Sequence, residues 1–264
     1  MEFSTTGANK SNKKLTSNER KERLYDIISK QGEIKFSEMS SYFGITEMTI
    51  RRDLESLEQE GLIRKTLGGA ILVSSVDLSM AERVGIRTAE KMRIGRAAAE
   101  LVRPREVIFI DSGTTTIQIV HHLLPKNVHT VVTNALNIAI ELQNKNIQTI
   151  LIGGHLWGGS SSLVGPMAEE AIGKIFFDRA FIAATALSVE HGLSNSNIFE
   201  IPIKRLAMKQ SQEVNVVIDH SKFGMKSLGS FSSLDNVNRI ITDQLPVDEL
   251  QELCSQNEVE LMIS

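Results

Sequence analysis

The chain has 264 residues, 41% of them hydrophobic and 23% charged, with a net charge of −3 at neutral pH. That balance excludes a disordered chain and a membrane-like composition, and the length suits one sizeable core plus a small extra module, so two domains are expected. No apolar run approaches the ~18 residues that would span a bilayer, the polar, basic start from Met1 to Lys14 lacks an apolar signal core, and the single cysteine, Cys254, allows neither an internal disulfide nor a cysteine zinc site; a cytoplasmic protein with no membrane partner, metal or cofactor is expected.

Cations bunch near the start, at Lys10, Lys13, Lys14, Arg20, Lys21 and Arg23, then at Arg51-Arg52 and Arg64-Lys65, a distribution suited to nucleic acid. Residues 1–15 read as a flexible basic lead-in. Thr16-Ser17-Asn18-Glu19 is a capping box, so a helix starts there; Leu24, Ile27 and Ile28 form its buried stripe and Gly32 its stop. A short helix follows over Ser37 to Phe43, with Met39 and Phe43 inward and Gly44 allowing a tight turn. Thr46 caps a third helix, in which Ile50, Leu54 and Leu57 share one arc at about 100° per residue, and Gly61 ends it.

The same rotation puts Met48, Thr49, Arg52 and Ser56 on the opposite face, with Arg51 on a flank. Helix, turn and helix, with Thr and Arg at the start of the second, suit the major groove, where Arg can donate twice to guanine. Arg52 is assigned to bases and Arg51 to phosphate, because neighbours about 100° apart cannot both face the groove floor. Leu62 to Thr66 and Ala70 to Val73 flank Leu67-Gly68-Gly69 as a hairpin wing carrying Arg64 and Lys65 beside the duplex. The alternative is a three-helix protein-binding module whose cations are a solvated face.

At these residues the chain resembles the DeoR family of bacterial transcriptional regulators. The carriers are Thr49-Ile50-Arg51-Arg52-Asp53-Leu54 in the recognition helix and Gly68-Gly69-Ala70 in the wing. The resemblance implies operator DNA as a partner and a homodimer or homotetramer as the assembly.

Residues 16–73 are therefore expected to form a winged helix-turn-helix domain. Residues 74–87, with Ser74, Ser75, Asp77 and Ser79 and no sustained period, read as a linker, and residues 88–264 as a larger domain. There a helix over Thr88 to Val102 precedes strand candidates at Val107 to Asp111, Val128 to Thr133, Ile147 to Ile152, Ala180 to Ala183, Val214 to Asp219, Arg239 to Thr242 and Glu260 to Ile263. Helix candidates at Thr114 to Leu124, Leu136 to Gln143, Met167 to Phe176, Ile203 to Ser211 and Val247 to Ser255 alternate with them. Continuous apolar strands in such alternation predict an α/β domain with a mostly parallel sheet covered on both faces.

Ligands bind such sheets at the carboxyl ends of the strands. The strand ends supply Asp111, Ser112, Gly113, Thr114, Thr115 and Thr116, then Thr133-Asn134, Gly153-Gly154, and Asp219 with Ser221 and Lys222. A loop of Gly and hydroxyl residues before a helix can hold a phosphate on backbone amides and side-chain donors. Lys222 adds a point charge, Asn134 a donor and acceptor, and the carboxylates can receive sugar hydroxyls. Each piece also has a structural reading: Gly153-Gly154 as a turn, Asn134 as a helix cap, Asp219 as a solvated strand end.

The resemblance extends to this half. The effector domain of DeoR regulators is similar to ribose-5-phosphate isomerase and glucosamine-6-phosphate deaminase folds; its phosphate loop matches Asp111-Ser112-Gly113-Thr114-Thr115, and its later motifs match Thr133-Asn134, Gly153-Gly154, Gly165-Pro166 and Asp219-His220-Ser221-Lys222-Phe223-Gly224. It implies roles in inducer response for Asp111, Asp219 and Lys222, with a phosphorylated sugar as effector. Two positions depart from the family pattern: Ala183-Ala184-Thr185-Ala186 follows Phe181-Ile182 where many relatives have Asp-Gly or Ser-Gly, and Trp157 stands where many carry Arg.

The competing reading is a sugar-phosphate isomerase or deaminase with Asp111 or Asp219 as base and Lys222 as helper. No second acid is evident; His155, His191 and His220 are lone histidines, and His121-His122 point to different helix sides. A DNA-binding module is needless in an enzyme, so the expectation is a non-enzymatic repressor of a sugar or polyol operon, released from its operator by a sugar phosphate.

Overall fold

The computed structural model describes residues 15–59, 63–72 and 80–264. The chain divides into two compact units, within residues 1–73 and 74–264. The basic lead-in at Lys10, Lys13 and Lys14, the expected helix stop at Gly61 and the serines at 74, 75 and 79 lie outside the described residues.

The first unit contains α1 (Ser17–Gln31), β1 (Glu33–Lys35), α2 (Phe36–Phe43), α3 (Glu47–Gln59), β2 (Ile63–Lys65) and β3 (Gly69–Leu72). The capping box is formed: Thr16 N donates to Glu19 Oε2 at 2.8 Å and Glu19 N to Thr16 Oγ1 at 3.3 Å. Leu24, Ile28, Met39, Ile50, Leu54 and Leu57 are buried, packed with Ile34, Phe36, Ile63 and Ala70, each large side chain contributing roughly 1.5–3 kcal/mol. Asp53, the acid that follows the paired arginines, fastens α3 to α1. It accepts from Arg20 Nε at 2.5 Å, Arg20 Nη2 at 3.0 Å and Ser17 Oγ at 3.1 Å.

The wing is a three-stranded antiparallel sheet in the order β1-β3-β2. Strand β1 was not expected, because three residues are too few to show a period. It passes so close to the wing that a Cβ on Gly69 would lie 1.8 Å from the Ile34 carbonyl oxygen, which is the steric reason for glycine at that place in Gly68-Gly69-Ala70.

The second unit runs α4 (Met80–Val84), α5 (Thr88–Glu100), β4 (Val107–Ile110), α6 (Thr116–His122), β5 (Thr130–Thr133), α7 (Leu136–Asn144), β6 (Thr149–Leu151), β7 (His155–Trp157) and β8 (Ser162–Val164). It continues with α8 (Pro166–Ile172), β9 (Phe177–Ala183), β10 (Ala186–Ser188), β11 (Gly192–Asn195), α9 (Ile201–Lys209), β12 (Ser211–Val217), β13 (Gly229–Ser232), β14 (Arg239–Thr242), α10 (Asp248–Gln256) and β15 (Glu260–Ile263). Within the stretch read as a linker, residues 80–84 are helical. None of the helices among the described residues is long and apolar enough to cross a membrane.

The seven expected strands all enter one sheet, in the order β15-β14-β12-β9-β4-β5-β6, and every pairing in it is parallel. Alternate strand residues point to opposite faces. Phe109, Ala180, Ile182, Val216 and Ile240 pack with α8, α9 and α10 on one face; Ile108, Ile110, Phe181, Val217 and Ile241 pack with α5, α6 and α7 on the other. Right-handed crossovers explain the division: β4 to β6 winds one way along the sheet and β9 to β15 the other, so the covering helices fall on opposite faces. The direction reverses between β4 and β9, which opens a crevice at their carboxyl ends.

A buried ion pair braces that reversal. Asp111, at the end of β4, accepts from the Ala183 amide at 3.0 Å and pairs with Lys204 of α9, whose ammonium also donates to the Ala183 carbonyl at 2.8 Å; both side chains are about 1% exposed. At the amino edge of the sheet, Arg179 pairs with Glu106 and Glu213, and Arg239 with Glu213 and Glu260, so the charges there neutralise one another. Two small antiparallel sheets, β10-β11-β13 and β7-β8, add to the main one. They escape a sequence reading because each strand is three or four residues long amid turn-forming residues.

Lys204→Met leaves the Asp111 carboxylate buried without its cation and is expected to lower stability by roughly 3–5 kcal/mol. Chemical unfolding checks this, and the double variant Asp111→Asn with Lys204→Met should recover much of the loss.

Candidate functional site: a DNA-reading face and an anion cavity

On α3 the exposed surface near the amino end is built from Thr46, Met48, Thr49 and Arg52. Thr46 caps the helix, accepting from Thr49 N at 3.3 Å, and the two hydroxyls lie 3.0 Å apart. Met48 is 62% exposed and Arg52 points outward. Arg51 lies on the flank, its guanidinium 4.0 Å from the Phe36 ring centroid and 4.0 Å from Glu47. Two assigned residues are held elsewhere. Ser56 accepts from Lys21 Nζ of α1 at 3.1 Å, and Lys65 sits between Glu55 and Glu58, 3.2 Å from each. Their partners neutralise or occupy them, so they tie the recognition helix to α1 and the wing, whereas Arg64 on the wing is exposed.

In the second unit a small, polar cavity lies at the carboxyl ends of β4, β9 and β12. Its lining includes Ser112, Gly113, Thr114 and Thr115 after β4, Ala183, Ala184 and Thr185 after β9, and Asp219 and Lys222 after β12, with Arg83 from α4 and Lys91 from α5. Gly113 is there because β9 comes close: an added Cβ would lie 2.7 Å from Ala183 Cβ and 2.9 Å from Thr116 Oγ1. The small side chains of Ala183 and Ala184 leave the cavity open at that wall.

The cavity is rich in cations. Lys91 Nζ donates to the Arg83 carbonyl, and Arg83 Nε is buried with no hydrogen-bond partner among the described residues. Burial pushes the Lys222 ammonium down to about 8 despite the carboxylate of Asp219, with Arg83, Lys91 and Arg87 repelling it further; Lys91 is likewise brought to about 8 by burial. Asp219 accepts from Ser221 N at 3.1 Å and stands 3.8 Å from Arg87 Nε. Arg87 Nη1 also meets His220 Nε2 at 3.1 Å, and His220 Nδ1 meets Asp243 at 2.6 Å, a chain that ties the start of α5 to the ends of β12 and β14. Glu200 closes another wall. Burial works against its charge, but Lys204 and hydrogen bonds from Ser160, Ser162 and Asn195 outweigh it and hold the carboxyl below the usual range.

The expected site residues are thus only partly brought together. Ser112, Gly113, Thr114, Thr115, Asp219 and Lys222 line the cavity. Asp111 lies beneath the loop in its pair with Lys204, and burial pushes its carboxyl up against the pull of that ammonium. Thr116 donates to the Gly113 carbonyl at 3.0 Å and starts α6 two residues later than expected. Asn134 binds β8 instead, its side-chain Nδ2 donating to the Leu163 carbonyl at 3.4 Å while its backbone carbonyl accepts from Leu163 N at 2.7 Å. Gly153 and Gly154 form the turn into β7, with Gly154 at φ 152°. The reason is positional: Asn134 and the two glycines follow β5 and β6, which stand beyond β4 and away from the crevice.

Sequence reading missed Arg83, Lys91, Glu200 and Lys204. A signal existed for one of them. Ile201, Ile203, Lys204, Ala207 and Met208 form the buried stripe of α9, so Lys204 is a charge at a core position of an amphipathic helix and needs a buried partner.

Residues 86–244 match the family model of the DeoR C-terminal sensor domain and residues 20–76 that of the DeoR-like helix-turn-helix domain. Among curated proteins, the chain is 31% identical to a putative aga operon transcriptional repressor of Escherichia coli, over 95% of this chain and 96% of that one. It is 30% identical to the glycerol-3-phosphate regulon repressor of Escherichia coli, over 90% and 95% of the two chains. A ribose 5-phosphate isomerase A from Neisseria gonorrhoeae aligns over 50% of this chain and 52% of its own, at 14% identity and a TM-score of 0.38. The two family models in tandem and the near full-length match to repressors favour a regulator over an isomerase or deaminase, and the chain belongs to the DeoR family of transcriptional regulators.

Proposed function

We propose that this regulator is a repressor of a sugar or polyol catabolic operon, that it binds its operator as a homodimer or homotetramer, and that an organic phosphate in the second unit's cavity releases it. One observation carries the ligand class: Arg83, Lys91 and Lys222 line one cavity with the hydroxyl-rich Ser112–Thr115 loop, and Arg83 Nε has no hydrogen-bond partner among the described residues. A phosphate dianion supplies acceptors for several such donors at once. The curated relatives support the operon class, since one bears the name putative aga operon transcriptional repressor and another glycerol-3-phosphate regulon repressor. Arg52, with Thr46, Met48, Thr49 and Arg64 around it and Arg51 on the flank, reads the operator. Release follows by linkage, because a ligand lowers operator affinity only by the factor with which it distinguishes the bound and released states.

Two substitutions separate the functions. Arg52→Ala should weaken operator binding by about tenfold or more in a gel shift with the upstream promoter, and leave the thermal shift by the effector intact. Lys222→Ala should keep operator binding and lose release; if it released DNA as readily as wild type, the cavity assignment would fall.

The lysines also set a pH dependence. Their charged forms exist below about 8 and are lost as pH rises, whereas a phosphate monoester is fully charged above pH 7. Affinity for inorganic phosphate or a sugar phosphate, measured by calorimetry, is therefore expected to fall by roughly tenfold or more between pH 7 and pH 9, and proton uptake should accompany binding near pH 8.

A further inference from the structure

The polar cavity shares a wall with a second, larger cleft of different chemistry. Met80, Arg83, Ser160 and Glu200 line both, and the outer cleft adds Trp157, Ile198, Phe199 and Leu228 as apolar wall with Asn197 at its side. With Arg83 and Glu200 in the wall that the two share, the outer cleft is the space beside the hydroxyl loop into which a group esterified to a phosphate held there can extend.

The lining of that cleft has two characters. Trp157 and Phe199 form a tilted pair, with centroids 4.9 Å apart and an interplanar angle of 36°, and both are exposed, at 37% and 49%. Trp157 is positioned by the turn after β7, in which its carbonyl accepts from Ser160 N at 3.3 Å, and Ser160 in turn donates to Glu200 at 2.5 Å. The aromatic wall is thereby linked to the phosphate cavity by two hydrogen bonds. Beside it are two buried donors with no partner among the described residues, Arg83 Nε and Asn197 Nδ2. Exposed aromatic faces next to unsatisfied donors fit a ligand with a C–H face and a hydroxyl edge. The electron-rich ring face attracts the polarised C–H groups, and the donors meet oxygens.

We propose that the outer cleft holds the carbon skeleton of the effector, and that this skeleton is a cyclic sugar stacked on Trp157 and Phe199 with a hydroxyl on Asn197. The proposal rests on the inner cavity being a phosphate site. It makes Trp157 a specificity residue that distinguishes ring sugar phosphates from acyclic polyol phosphates, since a flexible chain presents no rigid C–H face and loses more conformational freedom on binding.

The chain contains a single tryptophan, so intrinsic tryptophan emission reports on this cleft alone. The full chain is titrated by calorimetry and fluorescence with inorganic phosphate, glycerol 3-phosphate, a panel of hexose 6-phosphates and their reduced hexitol 6-phosphates. A cyclic hexose phosphate is expected to bind about tenfold more tightly than its hexitol counterpart and to shift the Trp157 emission, while inorganic phosphate binds without shifting it. Trp157→Ala should remove the tenfold preference and leave inorganic phosphate affinity unchanged, which also shows that the variant is folded; Trp157→Phe should keep most of the preference. Equal affinity for ring and acyclic phosphates, or a preference that survives Trp157→Ala, overturns the stacking proposal while the phosphate site stands. If neither inorganic phosphate nor any sugar phosphate binds the wild-type chain, the phosphate reading itself is wrong and the proposal goes with it.

Discussion

The second unit depends on the reversal of winding between β4 and β9 and on the ion pair buried beneath it. Parallel strands joined by right-handed crossovers can reverse direction only by leaving two adjacent strands whose connections depart to opposite faces. The resulting crevice exposes backbone polar groups that need partners. Asp111 and Lys204 supply some of them: one carboxylate and one ammonium satisfy the Ala183 amide and carbonyl and each other. The pair fixes Ala183 of the cavity wall, Asp111 anchors the start of the Ser112–Thr115 loop, and the charge of Lys204 holds down the carboxyl of Glu200.

Above the brace the charge balance changes. Below it a cation and an anion are matched, whereas in the cavity Arg83, Lys91 and Lys222 gather with Arg87 close by, against Asp219 and Glu200. Asp219 is already drawn on by Ser221 and Arg87, and Glu200 by two serines and an asparagine. Arg83, Lys91 and Lys222 are thus confined together, and burial lowers the proton affinities of the two lysines. Cations held together away from water carry a free-energy cost, and the anion proposed above would offset it. A sensor needs that property, because a site already content without its ligand has no free energy with which to shift an equilibrium elsewhere in the protein.

The first unit solves a different problem, that of presenting a few side chains outward from a core too small to hold itself rigid. Asp53 ties α3 to α1 through Arg20, Ser56 does so through Lys21, and Lys65 clasps the wing to α3 through Glu55 and Glu58. The price of this bracing is that several cations which look available in the sequence are internally paired, and the exposed set contracts to residues such as Arg52 and Arg64.

Periodicity alone determined the helices of the first unit, the seven strands of the main sheet and their order of appearance, because a buried strand must be apolar throughout and an amphipathic helix must repeat its stripe. The hydroxyl loop after β4 and the Asp219 to Lys222 segment were legible for the same local reason: their chemistry lies within a few consecutive residues. Tertiary structure alone decided which strand ends meet. Asn134 and Gly153-Gly154 satisfy the rule of the carboxyl edge yet stand outside the crevice, since strand order is a property of long-range pairing. It likewise placed Asp111 beneath the cavity, gave Ser56 of α3 and Lys65 of the wing partners within the first unit, and brought in Arg83, Lys91 and Glu200 from segments with no motif. A side chain's partner is fixed by the fold, and a charge read along the chain carries no record of the opposite charge, 93 positions away in the case of Asp111 and Lys204, that will neutralise it.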